Sequence, residues 1–189
     1  FGQGISQIGS WLTMVAQALL VLKITDSGIA VGVITACQFL PMLLLGAWGG
    51  LVADRSDKRK LLLVVQSFAM AQSFVLAALA FMDSPPVAAL YAVAFAGGIA
   101  LAFDNPTRRA LVVEMVANDE VSNAVSLNSA VMTGARVVGP ALAGLLITTV
   151  GFGWCFLLDG LSYIAVLTAI AKIRPAELRR SPRAESGKG

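Results

Sequence analysis

The sequence has no histidine, only two cysteines and few charged residues. Without histidine, catalytic sites of the Ser-His-Asp or Cys-His type and histidine-ligated metal sites are excluded. Cys37 and Cys155 both lie in apolar stretches, which indicates small buried side chains and not a disulfide framework or a zinc site. We therefore expect no metal and no cofactor.

Charge is scarce while apolar residues are abundant. Only 13% of the 189 residues are charged and 57% are hydrophobic. A soluble domain has about 25% charged residues, so this chain cannot cover a water-facing surface. Disorder is excluded too, because disordered chains are poor in apolar residues. The composition predicts a polytopic membrane protein whose solvent and partner is the lipid bilayer.

Six apolar runs approach the roughly 20 residues that cross about 30 Å of hydrocarbon. They predict an all-α bundle over residues 1–172, built from two three-helix repeats, with 173–189 as a cytoplasmic linker. Between the fourth and fifth spans we expect a short surface helix, capped by Asn105 with Pro106 as its first residue, while Asn118 caps the fifth span. The spans are 3–22, 29–53, 61–82, 87–103, 124–149 and 152–172.

Lysine and arginine are distributed unevenly between the two sides of the bundle. Twelve of the 14 fall in segments 54–60, 104–123 and 172–189, and the alternate connections hold only Lys23. The positive-inside rule then places both ends of this chain in the cytoplasm, with the chain in a plasma membrane such as the bacterial inner membrane. This asymmetry also explains the formal net charge of +3 without a nucleic-acid partner, because no aromatic residues are interleaved with the basic ones.

A charged signature follows the second span. The segment reads Gly50-Leu-Val-Ala-Asp54-Arg55-Ser-Asp57-Lys58-Arg59-Lys60. Alone it is equally compatible with a solvated turn that carries orientation charges. Gly-x-x-x-Asp-Arg with a basic cluster between the second and third of six spans, however, resembles the signature loop of the major facilitator superfamily. The resemblance implies a cytoplasmic gate in which Asp54 makes contacts in only one of two states, which biases their equilibrium.

The fifth span carries a second signature, Gly134-Ala-Arg136-Val-Val-Gly139-Pro140-Ala-Leu-Ala-Gly144. It is similar to the Gly-Pro motif of proton-coupled exporters in that superfamily. Close helix packing explains these glycines and the proline as readily as a role in alternating access does. With Phe39-Leu-Pro41, Asp104-Asn-Pro106 and Leu158-Asp159, the pattern most resembles the enterobactin-exporter-like branch.

The resemblance covers only the amino-terminal half of a twelve-span transporter. The sequence begins at Phe1 and not at Met, so we expect a longer protein with a missing carboxy-terminal six-helix half. The implied mechanism is export by alternating access, with a proton gradient as the driving force. Three departures stand out: Asp57 replaces the usual glycine, Ala143 precedes Gly144 where a Gly-Gly pair is usual, and span 87–103 lacks the arginine that many proton-coupled relatives have there.

Two ionisable residues, Arg136 and Asp159, lie well inside spans. Each costs roughly 2.5–3.5 kcal/mol at the membrane centre on insertion scales. Their depths differ by roughly 7–8 Å, so direct pairing is within reach of a long arginine side chain. Two roles stay open, a polar anchor between the fifth and sixth helices or a part in coupling or substrate binding. Asp159 is the candidate for protonation.

Polar residues on the first span follow helical spacing. Ser6, Ser10, Thr13 and Gln17 are separated by 4, 3 and 4 residues and share one helix face. That face meets either other helices or a watery cavity, and we favour a cavity that Gln38 joins, followed by Gln66 and Gln72. Its neutral polar and apolar lining suits a small amphiphilic substrate better than an ion.

Three classes of function were weighed. The signatures favour a secondary active transporter that exports amphiphilic, drug-like or siderophore-like molecules. The alternative is a non-transporting six-helix scaffold or one half of an obligate dimer. An enzyme is disfavoured, because intramembrane aspartyl chemistry needs two facing aspartates and only Asp159 was placed deep.

Overall fold

The structure, a computed structural model, describes residues 2–115 and 121–172. Within these residues the chain forms six α-helices, each long and apolar enough to cross a membrane. This confirms the predicted all-α membrane bundle. Asn118 and the linker 173–189 lie outside the described residues. The helices are α1 Gly2–Thr25, α2 Gly28–Arg55, α3 Lys58–Ala80, α4 Val87–Met115, α5 Val121–Thr149 and α6 Phe152–Lys172.

The connections between consecutive helices are short because local hydrogen bonds begin the next helix at once. Ser27 caps α2, accepting from the backbone N–H of Ala30 at 3.4 Å. Asp57 caps α3 in the same way and accepts from Lys60 N–H at 3.2 Å. Asp57 is the residue that departs from the family's glycine, so its side chain here serves as a helix cap.

Helix α4 corrects the prediction for the segment after residue 103. We expected the span to end there and a surface helix to begin at Asn105, but α4 continues without a break to Met115. Pro106 therefore lies inside the helix, where its missing N–H leaves the carbonyl of Ala102 without a helical donor. The hydroxyl of Thr107 supports the same turn by donating to the Phe103 carbonyl at 2.6 Å.

The helix contacts follow a pseudo-two-fold relation between α1–α3 and α4–α6. The most extensive contact joins α2 to α4, and its equivalent joins α5 to α1. The contact of α3 with α4 has its equivalent in that of α6 with α1, and α3 packs on α6 across the axis. This is the two-repeat architecture predicted from the sequence.

Glycines and prolines fit together reciprocally where α2 meets α4. Pro41 in α2 frees the carbonyl of Cys37, and a Cβ at Gly98 of α4 would lie 3.0 Å from that oxygen. Pro106 in α4 frees the Ala102 carbonyl, which faces Gly49 of α2 so closely that a Cβ there would collide with it. Each proline thus exposes a backbone oxygen that the other helix covers with a glycine.

The buried core is divided along the membrane normal. One apolar cluster lies at the end with the 26–27, 81–86 and 150–151 connections, and Leu76, Leu90 and Phe156 are fully buried in it. A smaller cluster, Leu62, Leu111, Val166 and Ile170, lies at the other end, which we call the basic end because segment 54–60 is there. Most of the buried polar side chains lie between the two clusters.

The α2–α4 contact predicts the effect of a single added methyl group. In Gly98→Ala the new Cβ collides with the Gln38 carbonyl, and rigid backbone must move. We expect a loss of about 1–3 kcal/mol of stability, measured as a lower midpoint of thermal unfolding of the purified protein. The matched control is Gly46→Ala, where a Cβ meets nothing within 4 Å. Equal midpoints for the two variants would contradict the packing described for this seam.

Candidate functional site

A cavity of about 90 Å³ lies inside the bundle between the two apolar clusters. Helices α1, α2, α3, α4 and α6 contribute to its wall, while α5 does not. Several polar side chains converge on a largely apolar lining, which is the usual composition of a small-molecule site. These polar residues are Ser10, Thr13, Gln17, Gln38, Gln66, Gln72, Ser73, Asp104, Asp159 and Tyr163.

Most of the polar stripe of α1 faces this cavity. Ser10, Thr13 and Gln17 line it, whereas Ser6 is buried one turn away and accepts a hydrogen bond from Ser10 Oγ through its carbonyl. Gln17 connects three helices. Its amide N–H donates to the Leu90 carbonyl in α4 at 3.1 Å, and its oxygen accepts from Gln38 of α2 at 3.0 Å. The stripe is therefore fixed by hydrogen bonds on all sides.

Asp159 is the most deeply held carboxylate of the cavity, with 4% of its surface exposed. Its Oδ2 accepts two hydrogen bonds, from Thr13 Oγ1 of α1 and from Ser73 Oγ of α3, each at 2.7 Å. Its Oδ1 is buried and has no hydrogen-bond partner among the described residues. One side chain of α6 thus ties α1 and α3 together, and no cation takes part.

Space for Asp159 is provided by Gly9 of α1. A Cβ at position 9 would collide with Asp159 Oδ1, and it would also lie 3.5 Å from Ser162 Oγ. The absence of a side chain at Gly9 therefore lets the carboxyl group lie directly against the backbone of α1. Nothing in the polar spacing of α1 pointed to this glycine, because its role depends on what α6 brings opposite it.

A second carboxylate, Asp104, lines the same cavity but is fully paired. Arg108, one turn later on α4, donates to it through Nε and Nη2 at 3.2 Å, and Gln66 of α3 donates at 2.5 Å. Arg108 is only 3% exposed. Sequence analysis missed this pair because it ended the fourth span at residue 103. An acid and a base spaced i, i+4 were the available signal, had the helix been continued through Pro106.

An arginine lies in the fourth helix beyond the predicted end of the span. Because α4 reaches Met115, Arg108 lies within the apolar part of the helix, Val87–Leu111, that can cross the membrane. Residues 87–103 themselves contain no arginine.

Arg136 and Asp159 do not form an ion pair. The Arg136 guanidinium lies over the ring of Trp11, 5.2 Å from its centroid, while Asp159 is bound by hydroxyl groups. Trp11 belongs to the same turn of α1 as Gly9 and Thr13, the residues that contact Asp159. This turn of α1 therefore separates the two charges. Depth along the membrane permitted their pairing, but the intervening helix prevents it.

The Gly-Pro motif of α5 divides into a packed part and an open part. A Cβ at Gly139 would lie 2.6 Å from the Cβ of Trp11 and 3.0 Å from the Ile8 carbonyl, so α5 packs tightly on α1 there. Gly134 and Gly144 have nothing within 4 Å of such an atom. Pro140 frees the carbonyl of Arg136, four residues earlier in the same helix.

The signature loop is anchored at the basic end by one of its arginines. Arg59 donates to two successive carbonyls at the end of α6, from Nε to Ile170 at 3.1 Å and from Nη2 to Ala171 at 2.6 Å. Asp54 and Arg55 are exposed at the end of α2, Lys58 begins α3, and Gly50 faces open space. The carboxylate of Asp54 is thus exposed, while Arg59 holds the loop against α6.

The described part of the chain holds no cluster of metal-binding side chains. Within residues 2–115 and 121–172, no three histidine, cysteine, aspartate or glutamate side chains are grouped to hold an ion. The chemistry that this site offers is hydrogen bonding, charge pairing and proton binding at a carboxyl group.

Comparisons with known proteins agree with the fold. The family model described as "Transmembrane secretion effector" matches residues 2–186. The chain is 28% identical over 165 residues to a staphyloferrin A transporter of Staphylococcus aureus, covering 86% of this chain and 42% of that protein. It is 24% identical over 177 residues to macrolide efflux protein A of Streptococcus pyogenes, covering 94% of this chain and 44% of the relative.

This chain spans less than half the length of these curated relatives, as the resemblance to half of a transporter implied. The family and the relatives are transporters and not enzymes. Together with the six apolar helices, they identify an integral membrane protein. The chain belongs to the transmembrane secretion effector family of the major facilitator superfamily and spans one six-helix half of that fold.

Proposed function

We propose that this chain is the amino-terminal half of a proton-coupled exporter of small amphiphilic molecules that works by alternating access. The observation that carries the proposal is the carboxyl group of Asp159, buried beside a cavity and held only by hydroxyl groups. An ionisable residue inside a membrane bundle is a functional candidate by default, because it is expensive to keep there for packing alone.

The partners of Asp159 suit a group that gains and loses a proton. The hydroxyls of Thr13 and Ser73 donate to the ionised carboxylate at 2.7 Å. A hydroxyl can also accept, so both can remain bonded when the carboxyl is neutral and donates its own proton. Asp104 differs, because Arg108 offers it only donors and a positive charge, which favour its ionised form. Of the two cavity carboxyls, Asp159 is therefore the proton carrier in this proposal.

Protonation can also change the contacts between helices. Asp159 on α6 joins α1 through Thr13 and α3 through Ser73. Two donors on one ionised oxygen make charge-assisted hydrogen bonds, which are about twice as strong as neutral ones. Neutralising the carboxyl weakens this junction of three helices. A difference of this kind between two states is what allows proton binding to shift a conformational equilibrium.

The class of substrate and the orientation of the chain in the membrane are part of the same proposal. The names of the relatives refer to staphyloferrin A and to macrolides, and amphiphilic molecules of this kind are the substrate class in this proposal. The basic end, with segment 54–60, faces the cytoplasm by the positive-inside rule. The substrate would then leave the cytoplasm as protons enter.

Proton coupling is tested with the intact transporter in inside-out membrane vesicles that hold a pH gradient. Candidate substrates, including a macrolide and staphyloferrin A, are added, and dissipation of the gradient is followed with a pH-sensitive dye. We expect at least one compound to dissipate it. In Asp159→Asn the response should fall to that of vesicles without the protein, because an amide keeps the hydrogen bonds but carries no exchangeable charge.

The matched control for this variant is Asp83→Asn, which neutralises an exposed aspartate in the connection between α3 and α4. It should leave the response unchanged. If Asp159→Asn dissipates the gradient as the parent protein does, Asp159 is not the coupling residue. If no compound moves protons in the parent protein, the proton-driven mechanism itself is wrong.

The contrast between the two carboxyls predicts a different outcome at Arg108. Removing one member of a buried ion pair costs about 3–5 kcal/mol, so Arg108→Gln should lower the midpoint of thermal unfolding strongly. The double variant Asp104→Asn, Arg108→Gln removes both charges and should recover most of the loss. A double variant as unstable as the single one would show that the pair is not the source of the stability.

A further inference from the structure

Arg136 presents a positive charge on the outer surface of the described bundle. It lies one residue past the midpoint of α5 and is exposed. An arginine at that depth strongly disfavours hydrocarbon, and such residues face a bundle interior or a water-filled cavity. The face of α5 that carries Arg136 is therefore not a lipid-facing surface in the assembled membrane protein.

The charge of Arg136 has no acidic partner in the part of the chain that the structure describes. Asp159 lies across the α1 turn and is bound by hydroxyls, and Asp104 is bound by Arg108. The remaining described aspartates lie at helix ends or in connections, away from the middle of α5. What holds the guanidinium is the ring of Trp11, at 5.2 Å.

A cation over an aromatic ring keeps its hydrogen-bond donors free. The face of the ring attracts the positive charge without accepting a conventional hydrogen bond from the N–H groups. No hydrogen bond from Arg136 is formed within residues 2–115 and 121–172 that would occupy them. A fork of this kind matches the oxygens of a carboxylate, a sulfonate or a phosphate.

In this six-helix half the surface around the cation is apolar and uncovered. On the same helix Val137 is 70% exposed and Leu145 is 59% exposed. A Cβ at Gly134 would meet nothing within 4 Å, so a bulky group of a ligand can approach the backbone there. An amphiphile with an acidic group and an apolar body complements this surface in both charge and hydrophobicity.

We infer that Arg136 and Trp11 form the binding subsite for the anionic group of the transported amphiphile. The inference rests on the proposed function as a transporter and adds the charge of its substrate. Sites in secondary transporters lie near the bilayer midplane, which is the level of Arg136 in α5. Since the guanidinium lies over Trp11 and pairs with no acid among the described residues, it can bind an anion and release it in each cycle.

The anion-binding site at Arg136 and the proton-binding site at Asp159 then lie on different sides of one turn of α1. Arg136 contacts Trp11 from the α5 side, and Asp159 contacts Gly9 and Thr13 from the α6 side. The substrate does not need to displace the proton from its carboxyl group. Any influence of one on the other passes through the position of α1.

Two probes that share one skeleton test the subsite in the intact transporter. 8-Anilinonaphthalene-1-sulfonate carries a sulfonate, and N-phenyl-1-naphthylamine is its neutral counterpart. Fluorescence titrations use the protein in zwitterionic lipid nanodiscs, with empty nanodiscs subtracted. In Arg136→Gln we expect sulfonate binding to weaken about tenfold or more, because a charge-assisted hydrogen bond is lost, and binding of the neutral probe to stay unchanged.

Further variants separate recognition of the anion from loss of structure. Arg136→Lys keeps the charge but not the planar fork, so its sulfonate affinity should lie between those of the parent and Arg136→Gln. The matched control is Lys23→Gln, which removes another cation over a ring, that of Phe152 at 5.5 Å. It should leave both probes unaffected.

The outcomes also separate this inference from the proton-coupling proposal. Unchanged sulfonate binding in Arg136→Gln overturns the subsite. Equal loss of both probes with a lower unfolding midpoint also overturns it, and assigns Arg136 a structural role. Probe binding is measured without a pH gradient, so the test of Arg136 gives a result whether or not proton coupling at Asp159 fails.

Discussion

The interaction that organises this six-helix bundle is the pair of hydrogen bonds to the carboxylate of Asp159. One carboxylate of α6 receives a hydroxyl from α1 and another from α3, and it lies against the bare backbone of Gly9. Because hydrocarbon surrounds the bundle, such a group is tolerated only where other helices satisfy it. The junction lies in the wall of the polar cavity, between the two apolar clusters, at the point where α1 approaches α6 closely enough to require Gly9.

Properties that follow from a single helix were predictable from the sequence. Length and hydropathy predicted six membrane spans, and the 3.6-residue period placed Ser10, Thr13 and Gln17 on one face of α1. The structure turns this face toward a cavity, and Gln38 meets Gln17 there. The prediction of a separate surface helix between the fourth and fifth spans was wrong, because an asparagine before a proline was taken for the start of a helix.

What escaped prediction depends on neighbours from distant parts of the chain. Pro106 is tolerated inside α4 where Gly49 of α2 packs on the carbonyl that the proline frees. Likewise, sequence gives the depth of Arg136 and Asp159 in the membrane but not which helix lies between them. Trp11, which separates them and holds the arginine, carried no signal because an aromatic residue in an apolar span is ordinary.

The two hydrogen bonds from Arg59 have a mechanical consequence for the chain beyond Lys172. They hold the carbonyls of Ile170 and Ala171, in the last turn of α6, on the first turn of α3. A pull on α6 from its carboxyl end is thus shared with α3 at the membrane surface before it reaches the packed interior. A displacement of the end of α6 relative to α3 would have to break these two hydrogen bonds, so the signature loop and the last turn of α6 are mechanically coupled.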